Sequence, residues 1–460
     1  MDRFSKASKG KKLCTVIAVY LGFFATIFFA SAASIFLPAA GMEIGNVEYY
    51  SLSPNVSSLV SSVIPPVLGF FAARCFKDKK RIYLVCSVIG IVGIAAMSMA
   101  NSMWTLVALS AAVGLCTGCV MSLGIMSIGE MFADDGERAM YISLTGTVMA
   151  VCMITSGVLT GIVVDSLGWR FVPVLVWPLI LLGTILFAVG ADPDTDEPVD
   201  MGGSVDILSM AGLFLFLGSL IVILSMQSIV PVGSAPFYVF FVLLVVGLVL
   251  LVMGIRSRGD AALIPLSLLK SKTFDLMFFS FILNVASSMA FFIFLPYFLQ
   301  MYAGVSATVA GLVMTVLNIP GVFLGVVIGN MVGKSGSCRS AVLLFGPFRI
   351  VAMAVLAFFV TPEMPVWIYF VLSFLNGFTS AVGSSAYTTG AQVQLEPELR
   401  AMGIPTLSMA NGLGGIIGTA ASTLFIGQGI VEGFKPALIV AIVMAALSIL
   451  LALPLKPLDE

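Results

Sequence analysis

Histidine is absent from this chain, and charge is scarce: Asp, Glu, Lys and Arg together make up 10% of its 460 residues. A soluble globular domain carries about a quarter charged residues and cannot hide much more apolar surface than that allows. Here 60% of residues are hydrophobic and the mean hydropathy is +1.12. The sequence contains no phosphate-cradling P-loop, no zinc-ligand spacing and no nucleophile elbow, so neither an ATPase nor a hydrolase is indicated. The chain is not read as an enzyme, and no cofactor or metal is assigned to it. Its seven cysteines sit within apolar runs or at their ends, which argues against a disulfide framework. Cys116 and Cys119 form CTGC, but an apolar helix is the wrong setting for a redox pair, and packing by small side chains accounts for it.

What the chain has in abundance is runs of about 20 apolar residues, the length that carries an α-helix across ~30 Å of hydrocarbon. Fourteen such stretches can be delimited, at 13–41, 53–74, 82–101, 103–132, 139–165, 169–190, 207–227, 236–255, 275–302, 306–333, 340–361, 365–389, 401–427 and 434–455. The basic N-terminus followed by the first apolar run superficially looks like a cleavable signal peptide. That run continues to Pro38, too long for one, and many helices follow. With the N-terminus placed in the cytoplasm, 19 of the 22 Lys and Arg fall on the cytoplasmic side; Arg170 and Lys435 lie outside, and Arg349 lies within the membrane. This positive-inside bias puts both termini in the cytoplasm. The expected fold is an all-α polytopic membrane protein with 14 transmembrane helices in a 6+2+6 arrangement.

The two sixes are related. IFLP occurs at Ile35–Pro38 and again at Ile293–Pro296, followed by IPPVLG from Ile64 and IPGVFLG from Ile319. The offsets, 258 residues for the first pair of prolines and 255 from Pro65 to Pro320, nearly agree. The chain therefore divides into a tail at 1–12, a six-helix bundle at 13–190, an acidic linker at 191–206, two additional helices at 207–255, a linker at 256–274, a second bundle at 275–455 and a tail at 456–460. Repeats flanking a mid-membrane site are a common transporter plan.

On these residues the sequence resembles the major facilitator superfamily, and within it the fourteen-helix branch of drug:proton antiporters. LIPLSLLKSKTF at 263–274 is similar to that branch's linker before its ninth helix, and FLPYFLQMYAGVSATVAGL at 294–312 to the end of helix nine and the start of helix ten. DSLGWRFVPVLVWP at 165–178 resembles the branch's tryptophan-arginine motif, and NGLGGIIGTA at 411–420 its glycine-rich thirteenth helix. The resemblance implies a secondary transporter that works by alternating access in a cell membrane, with a bacterial cytoplasmic membrane expected. It implies a small-molecule solute and the lipid bilayer as partners, no nucleic acid, and a monomer.

The departures from the family pattern carry information too. The loop motif after helix two, which helps latch the cytoplasmic side in the family, keeps Gly69, Arg74 and Lys77 but has Ala73 where an acid belongs. Its counterpart in the second half keeps Lys334, again without the acid. The antiporter motif on helix five reads SGVLTG, keeping Ser156, Gly157 and Gly161 but losing its proline, which weakens the case for obligatory exchange. Phe29 stands where the branch has a helix-one aspartate, and Ser110 where it has a helix-four arginine. All 23 Asp and Glu fall at helix ends or in loops, whereas proton coupling relies on titratable groups in the path. Facilitated transport or exchange of a small organic solute is therefore expected first. A divergent proton-coupled multidrug exporter with its proton site near Glu130 or Asp165 comes second. A membrane sensor or scaffold that has lost transport is a third reading.

Arg349 is the one charge inside a span. It stands ten residues from Arg339, ~15 Å along a helix, about half the hydrocarbon thickness. Its burial costs between ~2.5 and over 10 kcal/mol, and no carboxylate lies at its depth in the sequence reading. Helix carbonyls, water or an anionic substrate are left to compensate it. Pro347 denies the carbonyl of residue 343 its usual helical partner. An organic anion is one candidate cargo, since guanidinium pairs bidentately with carboxylate or phosphate; a structural or lateral-pocket role is the other reading. The uncharged candidates for solute contact are Asn284, Asn318, Asn376 and Asn411, one on each of four second-half helices, with Ser34 and Thr117 in the first half. Each can equally serve as interhelical glue.

Overall fold

The computed structural model describes residues 8–46, 49–74, 79–132, 135–191, 206–226, 230–259, 262, 266–359, 364–395, 397–425 and 430–456. Among these residues the chain folds into fifteen helices. They are α1 (Lys9–Ile44), α2 (Leu52–Arg74), α3 (Lys79–Met97), α4 (Met103–Met131), α5 (Asp135–Leu167), α6 (Phe171–Gly190), α7 (Ile207–Ser225), α8 (Ala235–Arg258), α9 (Leu266–Lys270), α10 (Lys272–Met301), α11 (Ala307–Ser335), α12 (Arg339–Phe359), α13 (Val366–Gln394), α14 (Pro397–Thr423) and α15 (Ile430–Ala452). Each of the fourteen apolar stretches has its helix, and the short α9 sits within the second linker. Eleven helices are long and apolar enough over their described residues to cross a membrane, and α2 and α5 contribute shorter apolar segments, Leu52–Ile64 and Val151–Leu167.

The helices start where hydroxyls and a carboxylate take up free N–H groups. Ser102, Ser234, Ser271 and Ser306 accept from the backbone of Trp104, Phe237, Phe274 and Val309, and Asp206 accepts from Ser209 N at 3.0 Å. Such caps satisfy donors that no helical turn can reach.

Two compact units emerge, Met1–Val205 and Asp206–Glu460. In the first, α1 packs against α4, α5 and α6, while α2 and α3 both pack on α4. In the second, α10 packs against α11, α13, α14 and α15, and α12 lies between α13 and α15. Burial follows this order: 72% of the most apolar stretch of α10 is buried, against 17% for α8. The additional pair α7 and α8 belongs to the second unit, where α7 packs on α14. The repeated IFLP segments fall in corresponding places, Pro38 six residues before the end of α1 and Pro296 five before the end of α10.

Close approach of α10 and α14 depends on absent side chains. A Cβ on Gly414 would stand 2.6 Å from the carbonyl oxygen of Ile282, and one on Gly418 would run into the backbone of Ala286. Gly415, between them, faces open space. Replacing Gly414 or Gly418 by alanine is therefore expected to lower stability by ~1–3 kcal/mol, the usual cost of overpacking. Gly415→Ala should be neutral or slightly stabilising, because alanine favours the helix by up to ~1 kcal/mol. Thermal unfolding of the purified variants checks both expectations.

Candidate functional site

Arg349 is the largest fully buried side chain described, with 0% of its surface exposed. Its position is prepared by a discontinuity in α12, which carries Pro347 in its interior. Two residues beyond the proline, the hydroxyl of Thr379 on α13 enters the helix. It donates to the carbonyl of Phe345 at 2.6 Å and accepts from the N–H of Arg349 at 3.2 Å. These are the two groups that an α-helix pairs directly, so a side chain from the neighbouring helix is spliced into the ladder, a recognised cause of local bending.

From there the guanidinium reaches across two neighbouring helices. Nε donates to Asn376 Oδ1 at 2.8 Å and one terminal nitrogen donates to Ser380 Oγ at 3.1 Å, both on α13. The other terminal nitrogen donates to Ser287 Oγ at 2.8 Å and to the backbone carbonyl of Asn284, both on α10. Ser287 in turn donates its own proton to that carbonyl at 2.8 Å. Four of the five guanidinium N–H groups are thus engaged by neutral oxygens. A hydrogen bond to a charged group contributes ~1.5–3 kcal/mol. Four of them supply the same order of free energy as burying the charge costs.

A second polar cluster shares two of these helices, α10 and α13. Tyr387 OH and Ser280 Oγ are 2.6 Å apart, and Ser280 and Ser448 each donate a hydroxyl to the other's carbonyl at 2.8 Å. The Tyr387 ring stacks on Phe281 with centroids 4.8 Å apart. This cluster ties α10, α13 and α15 and was not anticipated. Its only sequence signal is small hydroxyls inside apolar runs, which also describes many side chains that bond within their own helix. On α13, Tyr369 OH, Ser373 Oγ and Asn376 Nδ2 are buried without a hydrogen-bond partner among the described residues. Their spacing of four and three residues puts them on one helix face.

Of the candidates read from the sequence, the structure brings together Arg349, Asn284 and Asn376. Asn284 contributes its backbone carbonyl rather than its amide to the guanidinium. Asn318 on α11 donates to Met314 O at 3.0 Å in its own helix, and Asn411 is exposed on α14. In the first unit, Ser156 Oγ donates to Ser31 Oγ at 2.8 Å and joins α5 to α1, beside the buried Gly157 and Gly161. Ser34 and Thr117 donate to carbonyls of their own helices, Ser31 O at 2.9 Å and Val113 O at 2.9 Å. Gly69 lies in α2 and Arg74 ends it, Lys77 falls outside the described residues, and Lys334 is exposed in the last turn of α11. The six described cysteines are free thiols.

The tryptophan-arginine motif also has a visible role in the first unit. Trp169 Nε1 donates to Glu43 at 2.8 Å, and Arg170 pairs with the same carboxylate at 3.1 Å. Arg170 also donates to the carbonyl of Ala100 at 2.7 Å, and its guanidinium lies 4.4 Å from the Trp169 ring centroid. Glu43 is therefore an end-of-helix ion pair.

Among the described residues, the all-helical architecture and its long apolar spans define a multi-pass membrane protein. The sequence pattern of the Major Facilitator Superfamily matches residues 19–259 and 277–460, and the chain belongs to that family. It is a secondary transporter rather than an enzyme. It is 22% identical over 341 residues to the multidrug transporter protein MdtP of Bacillus subtilis, covering 73% of this chain and 61% of that protein. It is 22% identical over 432 residues to the riboflavin transporter RibZ of Clostridioides difficile, covering 92% of this chain and 90% of that one. Multidrug export protein EmrB of Escherichia coli is 23% identical over 416 residues, covering 88% and 78%. Among solved structures the nucleoside transporter NupG superposes with a TM-score of 0.67 at 14% identity, covering 97% of this chain and 99% of that chain. A peptide transporter, POT, superposes with a TM-score of 0.71 at 13% identity, covering 97% and 95%. These likenesses confirm the fold.

Because Arg349 and Thr379 connect three helices, their removal should be felt as lost stability. Arg349→Ala is expected to cost ~2–5 kcal/mol, through the cavity it leaves and the acceptors it strands. Thr379→Val should cost ~1–3 kcal/mol by stranding a buried carbonyl. Thermal unfolding in detergent measures both.

Proposed function

We propose that this chain crosses the membrane fourteen times with both termini in the cytoplasm. In this reading it moves a small organic solute by alternating access, as a facilitator or exchanger not driven by protons. The observation that carries this reading is the placement of acids. Every Asp and Glu that lies within a helix lies within four residues of that helix's end. A carrier that harvests a proton gradient needs a titratable group along the path, and a chain without histidine has few other options.

The cargo we favour is uncharged and hydrogen-bonding. The guanidinium of Arg349 is spent on Asn376, Asn284, Ser287 and Ser380, so an organic anion would have to displace several of these bonds to be read by it. Arg349, Asn284 and Asn376 then hold the second bundle together. Asn318, Asn411, Ser34 and Thr117 remain the candidate solute contacts, offering amides and hydroxyls that suit a neutral polar molecule. RibZ, a relative named as a riboflavin transporter, is compatible with such a cargo. In this reading Gly69, Arg74, Lys77 and Lys334 form a weakened cytoplasmic latch, and Ser156, Gly157 and Gly161 allow α5 to pack closely.

Proton-coupled multidrug export is the second reading, favoured by relatives named MdtP and EmrB. It would place the proton near Glu130 or near Asp165, which is exposed close to the end of α5. Flux of neutral, anionic and cationic solutes into proteoliposomes separates the two. A gradient of two pH units is worth ~2.7 kcal/mol per proton, or ~100-fold accumulation. The expected outcome is equilibration of a neutral solute with no accumulation under either gradient. Accumulation approaching that limit would establish proton coupling instead.

A further inference from the structure

A cavity of about 250 Å³ opens where the turn between α11 and α12 meets the end of α15, lined by Ser335, Ser337, Arg339, Ser340, Leu343, Leu455 and Lys456. Its position is separate from the Arg349 cluster. The chain reverses at Gly336, whose φ of 66° is in the left-handed region. The floor is fixed by Gln394, 2% exposed. The Gln394 amide nitrogen donates to Ser337 Oγ at 3.0 Å and to the carbonyl of Lys456 at 2.9 Å, and its oxygen accepts from Cys338 N at 3.0 Å. The turn and the end of α15 are thereby clamped, and in the wall the hydroxyls of Ser335 and Ser340, 2.9 Å apart, both donate to the carbonyl of Ser337, at 2.9 and 3.2 Å.

Two cations stand at the rim of this rigid cleft. Arg339 and Lys456 are exposed, and among the described residues neither takes part in an ion pair. Below them the lining turns apolar with Leu343 and Leu455. The apolar character continues outside the cavity. On α12, Ser340, Leu344, Val351 and Phe358 fall at spacings of four, seven and seven residues on one face, and Leu344, Val351 and Phe358 are 57%, 53% and 66% exposed. On the adjoining α15, Ile439, Val443, Leu447 and Leu450 form a matching exposed strip.

We propose that this cleft binds the headgroup phosphate of an anionic phospholipid. Arg339 and Lys456 donate to the phosphate oxygens and neutralise them, and the acyl chains lie along the exposed strips of α12 and α15. Paired positive charge above a membrane-length apolar surface matches an amphiphilic anion. Neither a free anion nor a soluble protein has use for the strips below it. Basic pockets between membrane helices recognise anionic headgroups by the same physics, and guanidinium–phosphate hydrogen bonds are among the strong ones.

Native mass spectrometry of the full chain tests this, with phosphatidylglycerol and phosphatidylcholine offered in competition. The wild type should retain phosphatidylglycerol at least about tenfold over phosphatidylcholine, which is ~1.4 kcal/mol. Arg339→Gln/Lys456→Gln should lose that preference, while a control of equal charge loss, Lys270→Gln/Lys272→Gln, keeps it. Both pairs are on the surface, so each variant should unfold at the wild-type temperature. Equal retention of the two lipids by the wild type overturns the proposal. So does a preference that survives in Arg339→Gln/Lys456→Gln, and so does complete displacement of the lipid by millimolar inorganic phosphate. Loss of the wild-type preference only in the control would place the lipid elsewhere and overturn it too.

Discussion

A guanidinium held in the interior of a membrane helix bundle, with no carboxylate among its partners, is the constraint that organises the second unit. A buried cation must be compensated or it will not stay buried. An acid would do so by Coulomb attraction, yet it would add a second ion whose own desolvation must be met. This chain uses geometry instead. Amide, carbonyl and hydroxyl oxygens from α10 and α13 converge on the planar fork of Arg349. Each is a fixed dipole, and none can be lost by protonation. The bond network therefore reads as a lock built without a second ion.

The lock depends on features that would each be unremarkable alone. Pro347 interrupts the α12 ladder at residue 343, Thr379 is spliced in between Phe345 and Arg349, and the backbone of Arg349 is thereby held against α13. The Ser280–Tyr387–Ser448 cluster fastens α15 to the same two helices. Together the two clusters bind four helices through side chains rather than through lipid-driven association, which is weak between apolar helices. In an alternating-access carrier a bundle must move as a body, and interior polar ties of this kind give it the stiffness to do so.

Most of the helical framework was legible in the sequence because the bilayer dictates it: a span needs about twenty apolar residues whatever the protein does. The ends were less legible. The first helix begins at Lys9 rather than at residue 13, since Lys11 and Lys12 extend it beyond the apolar run that marked its start. The five-residue α9 lies in a linker too polar to carry an apolar signal. The oddity of Arg349 was visible too; the carbonyl of residue 343 that Pro347 denies its partner is not among the groups that receive the guanidinium. The partners of Arg349 were not visible, because Asn376, Ser287 and Asn284 are 27, 62 and 65 residues away and only tertiary packing brings them near. Asn284 was found for the wrong atom: its backbone carbonyl, common to every residue, receives the arginine. The pairing of Glu43 with Trp169 and Arg170 likewise joins residues more than a hundred positions apart, which no local pattern reveals.

The most direct test of the central claim is a double-mutant cycle between Arg349 and Asn376, read by equilibrium unfolding of Arg349→Met, Asn376→Leu and the pair. If the guanidinium is locked by neutral oxygens, the double variant will lose less stability than the sum of the single ones, by ~1–3 kcal/mol of coupling. Additivity within ~0.5 kcal/mol would mean that the two side chains do not work together, and would contradict the account.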